Sequence, residues 1–348
     1  MRKLRLAVIG AGLIGKRHID LVAAEPACEL VAICDAQPAA ATLAAPYGAH
    51  FFADYATMLA AVALDGVIIA TPNQLHVPVG LACVERGLPI LVEKPIAPTV
   101  AAAAELVTAA AAQGVPVLVG HHRRHNPLVQ RARALIQQGQ LGRLVGVSAL
   151  FTLLKPADYY NVTWRKEPGG GPVLINLIHD IDNLRYICGE IASVYGMTSN
   201  QTRGFTVEDS AAITLQFTSG ALGTIFVSDT VAAPWSYELT SRENPAYPPT
   251  GQDCYHFYGT HGAVAFPSLR HWHYPDPQQA GWYASLTCDH IEVTPQEPLA
   301  AQLHHFCQVI RGEATPLVSG LEGLKSLAAT LAVLESAAKQ VPIMVGEP

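Results

Sequence analysis

A lysine and a histidine carry the acid–base chemistry that this sequence offers. Lys94 lies two residues after the apolar run 90–92, which we interpret as a buried strand. A lysine held there partly out of water can donate a hydrogen bond to a substrate oxygen and favour its alkoxide form. His179 lies in a helical pattern over 173–188. Histidine side chains in general have an unperturbed pKa near neutral pH, which suits reversible proton transfer.

A polar stripe surrounds this histidine. Asn176, His179 and Asp182 are spaced by three residues, so a regular helix places them on one face of a segment otherwise rich in Leu and Ile. Asp182 could orient the imidazole of His179. It could equally pair with Arg185, three residues further along, and the sequence leaves both options open.

A glycine-rich loop predicts a nucleotide site near the start of the chain. Gly10, Gly12 and Gly15 follow an apolar run and open a helical pattern. This spacing permits a tight turn, a close approach to a pyrophosphate and contact between helix and strand. Asp35 ends the second predicted strand, where a carboxylate accepts hydrogen bonds from a ribose diol and repels a 2′-phosphate. Ala36 follows it, so we expect NAD, with NADP less likely.

Further polar residues follow the predicted strands 66–70 and 90–92. Ligands of parallel sheets bind at the carboxyl ends of the strands, so Thr71-Pro72-Asn73, His76 and Glu93-Lys94-Pro95 are expected at the mouth of the same site. The residues expected to bind the cofactor are Gly10, Gly12, Leu13, Ile14, Gly15, Asp35, Ala70, Thr71, Pro72, Asn73, His76, Glu93, Lys94 and Arg124.

The elements that must position these residues alternate over the first third of the chain. Short apolar runs bounded by Gly, Pro or Asp predict buried strands, and the segments between them have helical length. Strand–helix alternation indicates a parallel sheet covered on both faces. The predicted strands are 4–9, 30–34, 66–70, 90–92 and 115–119, and the predicted helices are 14–24, 74–86 and 99–113.

The pattern changes after about residue 145. Strands are predicted at 143–153, 194–199, 210–217 and 221–229, and a tight turn joins the last two, as in an antiparallel hairpin. Helices are expected at 173–188, 299–311 and 321–340, and a surface loop or lid at 242–251. The fold class is therefore a Rossmann doubly wound parallel sheet followed by an open, mainly antiparallel sheet. The expected domains are 1–122 for NAD binding and 123–348 for substrate binding and oligomerisation.

Taken together, these motifs resemble the glucose–fructose oxidoreductase/inositol dehydrogenase (Gfo/Idh/MocA) family. The resemblance begins with the glycine loop, Asp35, Thr71-Pro72-Asn73 with His76, and Glu93-Lys94-Pro95. It continues through 124–127, Trp164-Arg165 before three glycines at 169–171, His179 with Asp182, and Gly259-Thr260 with Gly262. It covers essentially the whole chain in order, and the Glu-Lys-Pro motif is fairly specific.

The family resemblance implies a reaction. Members mostly oxidise a hydroxyl or reduce a ketone on sugars, cyclitols and related polyols, with the Glu-Lys-Pro lysine and a helix histidine flanking the reacting carbon. Here these catalytic residues would be Lys94 and His179. Many inositol-dehydrogenase-like members carry an aspartate four residues before the histidine, where this chain has Ile175. Either Asn176 takes over that contact or the substrate differs there.

Several further side chains could bind the substrate. Arginine binds carboxylates with two parallel hydrogen bonds, so Arg123, Arg124, Lys155 and Arg165 suit an acidic substrate, such as the cis-dihydrodiol of an aromatic acid. They could instead be surface charges or cofactor contacts, and the aromatic residues Tyr159, Tyr160 and Trp164 could be core or interface residues. The residues expected to bind substrate are Asn176, Asp182, Arg123, Lys155, Tyr160, Trp164 and Arg165.

Composition limits the possible functions. The 348 residues carry a formal net charge of −6 without basic blocks, which argues against nucleic-acid or anionic-membrane binding. Charged residues make up only 14%, against about 25% in typical proteins. With an open sheet, this predicts a homodimer or homotetramer formed through the C-terminal sheet. No stretch of about 20 apolar residues predicts a membrane span.

Cysteine and histidine spacing also exclude some classes. The seven cysteines are scattered without a C-x-x-C pair, which favours unpaired thiols in the cytoplasm. The histidine groups, including His271 with His273, lack the spacing of a known metal site, so no metal is expected. Besides a dehydrogenase, we consider an NAD-retaining lyase or glycosidase and a non-catalytic nucleotide sensor.

Overall fold

The computed structural model describes residues 2–346, which divide into two compact units. Residues 2–125 and 297–327 form the first unit, and residues 126–296 and 328–346 form the second. The division lies three residues beyond the expected boundary at 122/123. The first unit also contains a later stretch of chain that the sequence pattern assigned to the second domain.

Strands occur throughout the described chain. They are β1 Leu4–Ile9, β2 Cys28–Cys34, β3 His50–Phe52, β4 Gly66–Ile69, β5 Ile90–Val92, β6 Val117–Val119, β7 Leu144–Thr152, β8 Ile191–Ser199, β9 Ser210–Phe217, β10 Leu222–Ser228, β11 Tyr255–Gly259, β12 Gly262–Phe266, β13 Arg270–His273, β14 Thr287–His290 and β15 Ile343–Met344.

Helices connect and cover these strands. They are α1 Leu13–Ala24, α2 Tyr55–Ala61, α3 His76–Val84, α4 Val100–Gln113, α5 Pro127–Gln137, α6 Ile178–Cys188, α7 Tyr237–Thr240, α8 Pro298–Ile310 and α9 Gly320–Lys339. Short 3₁₀ segments lie at Pro38–Leu43, Ala45–Tyr47, Asn73–Leu75, His122–His125, Ala157–Asn161, Thr163–Lys166 and Pro277–Gln279, and a π-helical turn at Val173–Leu177.

The first unit contains the predicted Rossmann sheet. Its six strands are all parallel, in the order β3-β2-β1-β4-β5-β6. All residues of β4, β5 and β6 are buried, as expected when helices cover both faces of a sheet. The short strand β3 and helix α2 were not predicted. Because all six strands run the same way, their carboxyl ends lie at one edge and bring the loops that follow them together.

A late segment of the chain completes this unit. Helix α8 buries Phe306, which together with Ile310 would contact a Cβ placed at Gly66 in β4. The backbone N–H of Val119 donates to the carbonyl of Val318 at 2.8 Å, which continues the sheet edge beyond β6. Two elements distant in sequence are thus part of the nucleotide-binding unit.

The second unit contains a nine-stranded sheet in the order β14-β13-β12-β11-β7-β10-β9-β8-β15. All its pairs are antiparallel except β7 with β10, which makes the sheet mixed but mainly antiparallel, as predicted. Strand β9 alternates buried and exposed residues, so one face is packed and the other is open. The packed face contributes Phe151, Ile213 and Ile225 to a core with Ile181 of α6 and Val333 of α9.

Two predicted helices are divided in the structure. The segment 173–188 begins with the π-helical turn and continues as α6, and 74–86 begins as a 3₁₀ turn before α3. The expected loop at 242–251 contains no helix or strand. Within residues 2–346, no helix combines the length and hydropathy that crossing a bilayer requires.

Candidate functional site

The glycine loop packs tightly on one side and is open on the other. Gly10 has a φ of 93°, and a Cβ there would collide with the carbonyl of Ala70 at the end of β4. A Cβ on Gly15 would collide with Gly10 itself, so both positions need glycine. A Cβ on Gly12, in contrast, would have no atom within 4 Å. Helix α1 starts there at Leu13, which is 94% exposed, without a side-chain cap, so its first N–H groups suit a phosphate.

Asp35 anchors this loop from the end of β2. Its Oδ2 accepts a hydrogen bond from the backbone N–H of Ala11 at 2.6 Å, and its Oδ1 accepts one from Gln37 at 2.7 Å. A carboxylate has about four acceptor sites, so each oxygen can still accept a hydroxyl donor. Asp35 therefore lies beside the phosphate-binding loop with capacity for a ribose diol, which fits the predicted role.

His76 joins the loops that follow β4 and β5. Its Nδ1 lies 2.8 Å from the carbonyl oxygen of Pro95, and its Nε2 lies 2.8 Å from that of Thr71. Burial lowers the pKa of His76, and the two backbone hydrogen bonds oppose this effect. Because both ring nitrogens face backbone carbonyls, His76 positions these loops rather than presenting a nitrogen to a ligand. The Oγ1 of Thr71 is buried and has no hydrogen-bond partner in the described chain, so it could still form a hydrogen bond to a ligand. Pro72 and Asn73 continue the same loop into the 3₁₀ turn.

Glu93 is a buried carboxylate next to the candidate catalytic lysine. Its Oε1 lies 2.8 Å from Nε2 of His18 on α1, and a Cβ on Gly120 would lie 2.9 Å from its carboxyl carbon. Burial by itself raises the pKa of Glu93, but His18, with smaller contributions from His122 and Lys94, holds it below its usual range. The backbone N–H of Lys94, whose side chain is half-buried, donates to Oε2 at 3.3 Å. Glu93 therefore fixes the backbone that carries the lysine.

His18 was not among the predicted site residues. It lies three residues after Gly15 on the buried face of α1, and its side chain is 1% exposed. The only available signal was a polar residue at an otherwise apolar helix position, which alone does not distinguish a functional residue from a structural one.

Two of the arginines expected to bind a ligand, Arg123 and Arg124, are buried in the first unit. Arg123 and Arg124 lie in the 3₁₀ turn after β6. The Nη1 of Arg124 lies 2.9 Å from Oε2 of Glu322 in α9, a pairing within the first unit that the sequence did not indicate.

In the second unit, the half-buried Glu208 supports the segment that carries His179. The backbone N–H of Val173, the first residue of the π-helical turn, donates to Oε1 of Glu208 at 3.0 Å. A Cβ on Gly171 would collide with this carboxylate. Burial raises the pKa of Glu208 above its usual range. The turn leads into α6, where the imidazole of His179 is buried.

Asn176 belongs to a connected polar network. Its Oδ1 accepts a hydrogen bond from Nζ of Lys155 at 2.7 Å, and the same ammonium lies 3.2 Å from Oδ2 of Asp229. Asp229 also accepts from the hydroxyl of Tyr160 at 2.6 Å and from Nε of Arg203 at 3.2 Å. Burial lowers the pKa of Lys155, and Asp229 counteracts this. The lysine can only donate, so it fixes the orientation of the Asn176 amide and turns its two N–H donors away from Lys155.

The remaining predicted residues of the second unit have identifiable contacts. The guanidinium of Arg165 lies 3.9 Å from the ring centre of Tyr159 and donates to that residue's carbonyl at 2.7 Å. Trp164 is half exposed. The predicted set therefore separates into a buried network around Lys155 and Tyr160 and a more exposed pair, Trp164 and Arg165.

Asp182 is buried on α6. Arg185, its possible structural partner, forms a two-pronged ion pair with Glu190 at 3.0 and 2.9 Å. The neighbouring Asp180 accepts a hydrogen bond from the hydroxyl of Tyr255. The helix thus carries several buried charges, and that of Arg185 is compensated at least in part by Glu190.

A Rossmann sheet with an uncapped glycine loop and a carboxylate after its second strand defines a dinucleotide-binding protein. Comparisons with known proteins specify the class. A family model described as "Oxidoreductase family, NAD-binding Rossmann fold" matches residues 4–121, and the "GFO/IDH/MocA C-terminal domain" matches residues 129–265. The chain belongs to the Gfo/Idh/MocA family and is an NAD(P)-dependent oxidoreductase, as the sequence motifs predicted.

Individual relatives differ in how much of the chain they match. The rhizopine catabolism protein MocA of Rhizobium meliloti is 30% identical over 58% of this chain, which covers 62% of that relative's length. The scyllo-inositol 2-dehydrogenase (NAD(+)) of Bacillus subtilis is 26% identical over 99% of this chain and 96% of its own. The crystal structure of the WlbA dehydrogenase from Bordetella pertussis, in complex with NADH and UDP-GlcNAcA, matches 99% of both chains at 28% identity, with a TM-score of 0.79.

Proposed function

We propose that the protein is an NAD-dependent dehydrogenase that transfers a hydride between a hydroxyl-bearing carbon of a small polyhydroxylated ring, a sugar or a cyclitol, and the nicotinamide. One observation carries the proposal. The carboxyl edge of the parallel sheet gathers an open phosphate-binding loop, the diol acceptor Asp35, the unpartnered hydroxyl of Thr71 and Lys94. A nucleotide site and a candidate acid–base group therefore lie on neighbouring loops of one rigid element.

Asp35 supports NAD over NADP. Its carboxylate lies directly beside the loop and accepts hydrogen bonds from two backbone N–H groups. A fixed negative charge at that position accepts the 2′- and 3′-hydroxyls of the adenosine ribose and disfavours a 2′-phosphate. Ala36 adds no cation or hydroxyl that would bind such a phosphate.

Lys94 and His179 are proposed as the acid–base residues. When bound, NAD would accept the hydride from the carbon that bears the hydroxyl. His179 would take the hydroxyl proton during oxidation and return it during reduction. Lys94 would donate a hydrogen bond to the same oxygen and stabilise its developing negative charge. The support of Lys94 by Glu93 and of the His179 segment by Glu208 favours two groups that are each held in place within their own unit.

The polar network in the second unit favours a neutral polyol over an acidic substrate. Lys155 is compensated by Asp229, Arg124 by Glu322, and Arg165 rests on the ring of Tyr159. Cations that could bind a carboxylate are thus already engaged within their own units, which weakens the cis-dihydrodiol alternative. One relative is named for scyllo-inositol, and another was crystallised with UDP-GlcNAcA. Candidate substrates should therefore include both cyclitols and sugars.

A substrate panel tests the proposed reaction. Inositols, aldoses, uronates and aromatic cis-dihydrodiols are each incubated with NAD and with NADP, and NADH or NADPH is followed by its absorbance. We expect NAD-dependent oxidation of at least one inositol or aldose. Turnover of dihydrodiols alone would favour the second substrate class. Substrate consumption with tightly retained NAD and no net NADH would instead identify an NAD-retaining lyase or glycosidase.

The open face of the second sheet supports self-association. Across β8, β9, β10, β7 and β11, the outward-facing residues within the described chain include no Asp, Glu, Lys or Arg, whereas they include Met197, Leu222, Phe226 and Tyr258. We propose that a second copy of this chain covers this face to form a dimer or a dimer of dimers. Sedimentation that shows only a monomer of 37.0 kDa at working concentration would exclude this assembly.

We propose a cytoplasmic location because of the state of the cysteine thiols. All seven cysteines are unpaired, and six of them are buried, as is typical of proteins in a reducing cytoplasm.

A further inference from the structure

Three potential metal ligands converge at the edge of the second unit's sheet. His271 and His273 lie two residues apart on β13 and therefore point to the same face of the sheet. Asp289 on β14 is the direct cross-strand partner of His271. One ligand atom from each of the three residues lies within 4.8 Å of the other two. The two imidazole rings stack with their centres 5.0 Å apart.

The orientation of the two imidazoles favours a shared ligand. The Nδ1 of His273 lies 3.3 Å from the carbonyl oxygen of Tyr274, and its Nε2 lies 2.9 Å from Oδ2 of Asp289. This is the arrangement in which an outer hydrogen bond fixes a metal-binding histidine. The Nε2 of His271 is buried and has no hydrogen-bond partner among the described residues.

A glycine provides the space for the His271 ring. A Cβ on Gly262, the cross-strand partner of His273 on β12, would lie 2.8 Å from Nε2 of His271. Any other residue at 262 would press directly on the nitrogen that lacks a partner. The site therefore combines a cluster of three potential ligands with a glycine that leaves room for the His271 ring.

We propose that His271, His273 and Asp289 bind one divalent transition-metal ion, with Zn²⁺ as the best match, and that water completes the coordination. Two imidazoles and a carboxylate are typical zinc ligands, whereas Mg²⁺ and Ca²⁺ prefer oxygen ligands alone. At metal–ligand distances of about 2.0–2.2 Å, tetrahedral ligand atoms are separated by about 3.3 Å. The present separations of 2.9 Å to at most 4.8 Å need only small side-chain adjustments to reach this value.

The ion would fasten the outermost hairpin of the sheet. Strand β14 lies at the sheet edge, and the connection from β13 to β14 exposes Trp282 and Tyr283, at 90% and 96%. A metal ion bound by residues of both strands would hold the two ends of this connection together. We therefore assign the site a structural role at the hairpin, separate from the proposed hydride-transfer chemistry.

Metal titration of the intact chain tests the site. Untagged full-length protein, freed of metal by a chelator, is titrated with Zn²⁺ by calorimetry and with Co²⁺ by visible absorption. We expect one Zn²⁺ per chain and the intense Co²⁺ bands of a tetrahedral site. His271→Ala, His273→Ala and Asp289→Asn should each weaken binding by at least the roughly 10–100-fold that loss of an outer-shell partner costs.

His290→Ala is the matched control, because His290 is the next residue on β14 and lies outside the triad. It should bind Zn²⁺ like the wild type. The proposal is overturned if the wild type binds no Zn²⁺, or if the triad variants bind as tightly as His290→Ala.

Proteolysis of the wild type provides a test that needs no folded variant. Chymotrypsin cleaves after exposed aromatic residues, so Trp282 and Tyr283 report on the hairpin connection. Zn²⁺ should slow cleavage there several-fold. An unchanged cleavage rate at saturating Zn²⁺ would refute the structural role.

Discussion

Asp35→Ala removes two interactions of this carboxylate, its hydrogen bonds to the glycine loop and its proposed contact with the ribose. The carboxylate anchors the glycine loop through the N–H groups of Ala11 and Gln37, and it retains acceptor capacity for a ribose diol. A hydrogen bond to a charged group contributes about 1.5–3 kcal/mol. Losing one bond to the diol and part of the loop anchoring should together cost about 3 kcal/mol of binding free energy. Since about 1.4 kcal/mol corresponds to a factor of ten, the Kd for NADH should rise about 100-fold.

Binding of NADPH should respond differently to Asp35→Ala. The variant loses the same anchoring but also loses the repulsion between a carboxylate and a 2′-phosphate, so the preference for NADH over NADPH should fall by at least about tenfold. Both constants are measured by calorimetry. Asp54→Ala is the control, because Asp54 caps α2 through Thr57 and its loss should cost about 1 kcal/mol of stability without altering cofactor binding. If Asp35→Ala binds NADH like this control, the assigned ribose site is wrong.

Three further perturbations test other parts of the structure. Lys94→Ala and His179→Ala should each lower turnover by about 10²–10⁴ while NADH binding persists, and near-normal turnover of Lys94→Ala would refute the assigned chemistry. The pKa of Glu93 is depressed in the folded protein, so its ionised form stabilises the fold above its unfolded-state pKa, and this contribution is lost as the pH falls through the folded-state pKa. In His18→Ala the carboxylate of Glu93 stays buried without its partner, and burial by itself raises its pKa. The variant should therefore lose about 3 kcal/mol of stability near pH 7.5 and less near pH 5, where the unpaired carboxyl takes up a proton more readily. Thermal unfolding measures the loss at both pH values, and a loss independent of pH contradicts the pairing. Phe226→Glu places a charge on the open sheet face and should shift sedimentation towards the monomer, and an unchanged assembly would mean that another surface mediates association.

The parts of the fold that were predictable have local signals. The predicted bounds of β1, β5 and β9 agree with the structure, because fully buried or alternating strands leave a direct pattern in the sequence. The association of residues 297–327 with the first unit has no such signal. It depends on Phe306 packing over Gly66 and on a sheet-edge hydrogen bond from Val119, contacts between segments far apart in the chain.

The candidate site also combines features that the sequence predicts locally with features that it does not. The glycine loop and Asp35 belong to one short motif, so their arrangement was predictable. The partners of buried charges were not, because Asp229 lies 69 residues from Tyr160 in sequence and meets it only through the sheet. The metal site proposed above has no signal in the sequence for a related reason. A pair of histidines two residues apart on a strand becomes a candidate site only when the register places Asp289 beside it.

The π-helical turn changes the meaning of the residues before His179. Helical spacing alone aligned Asn176 with His179, but Asn176 lies in the π-helical turn, where a 3.6-residue period does not apply. Lys155 instead determines its orientation by occupying Oδ1, so the two N–H donors of the amide face away from Lys155. If Asn176 contacts the substrate, as the family resemblance implies, these donors would favour an acceptor oxygen on the substrate. We therefore propose that the departure from the expected pattern at Ile175 affects which ring substituents are recognised, and that the proton transfer proposed for His179 does not depend on it.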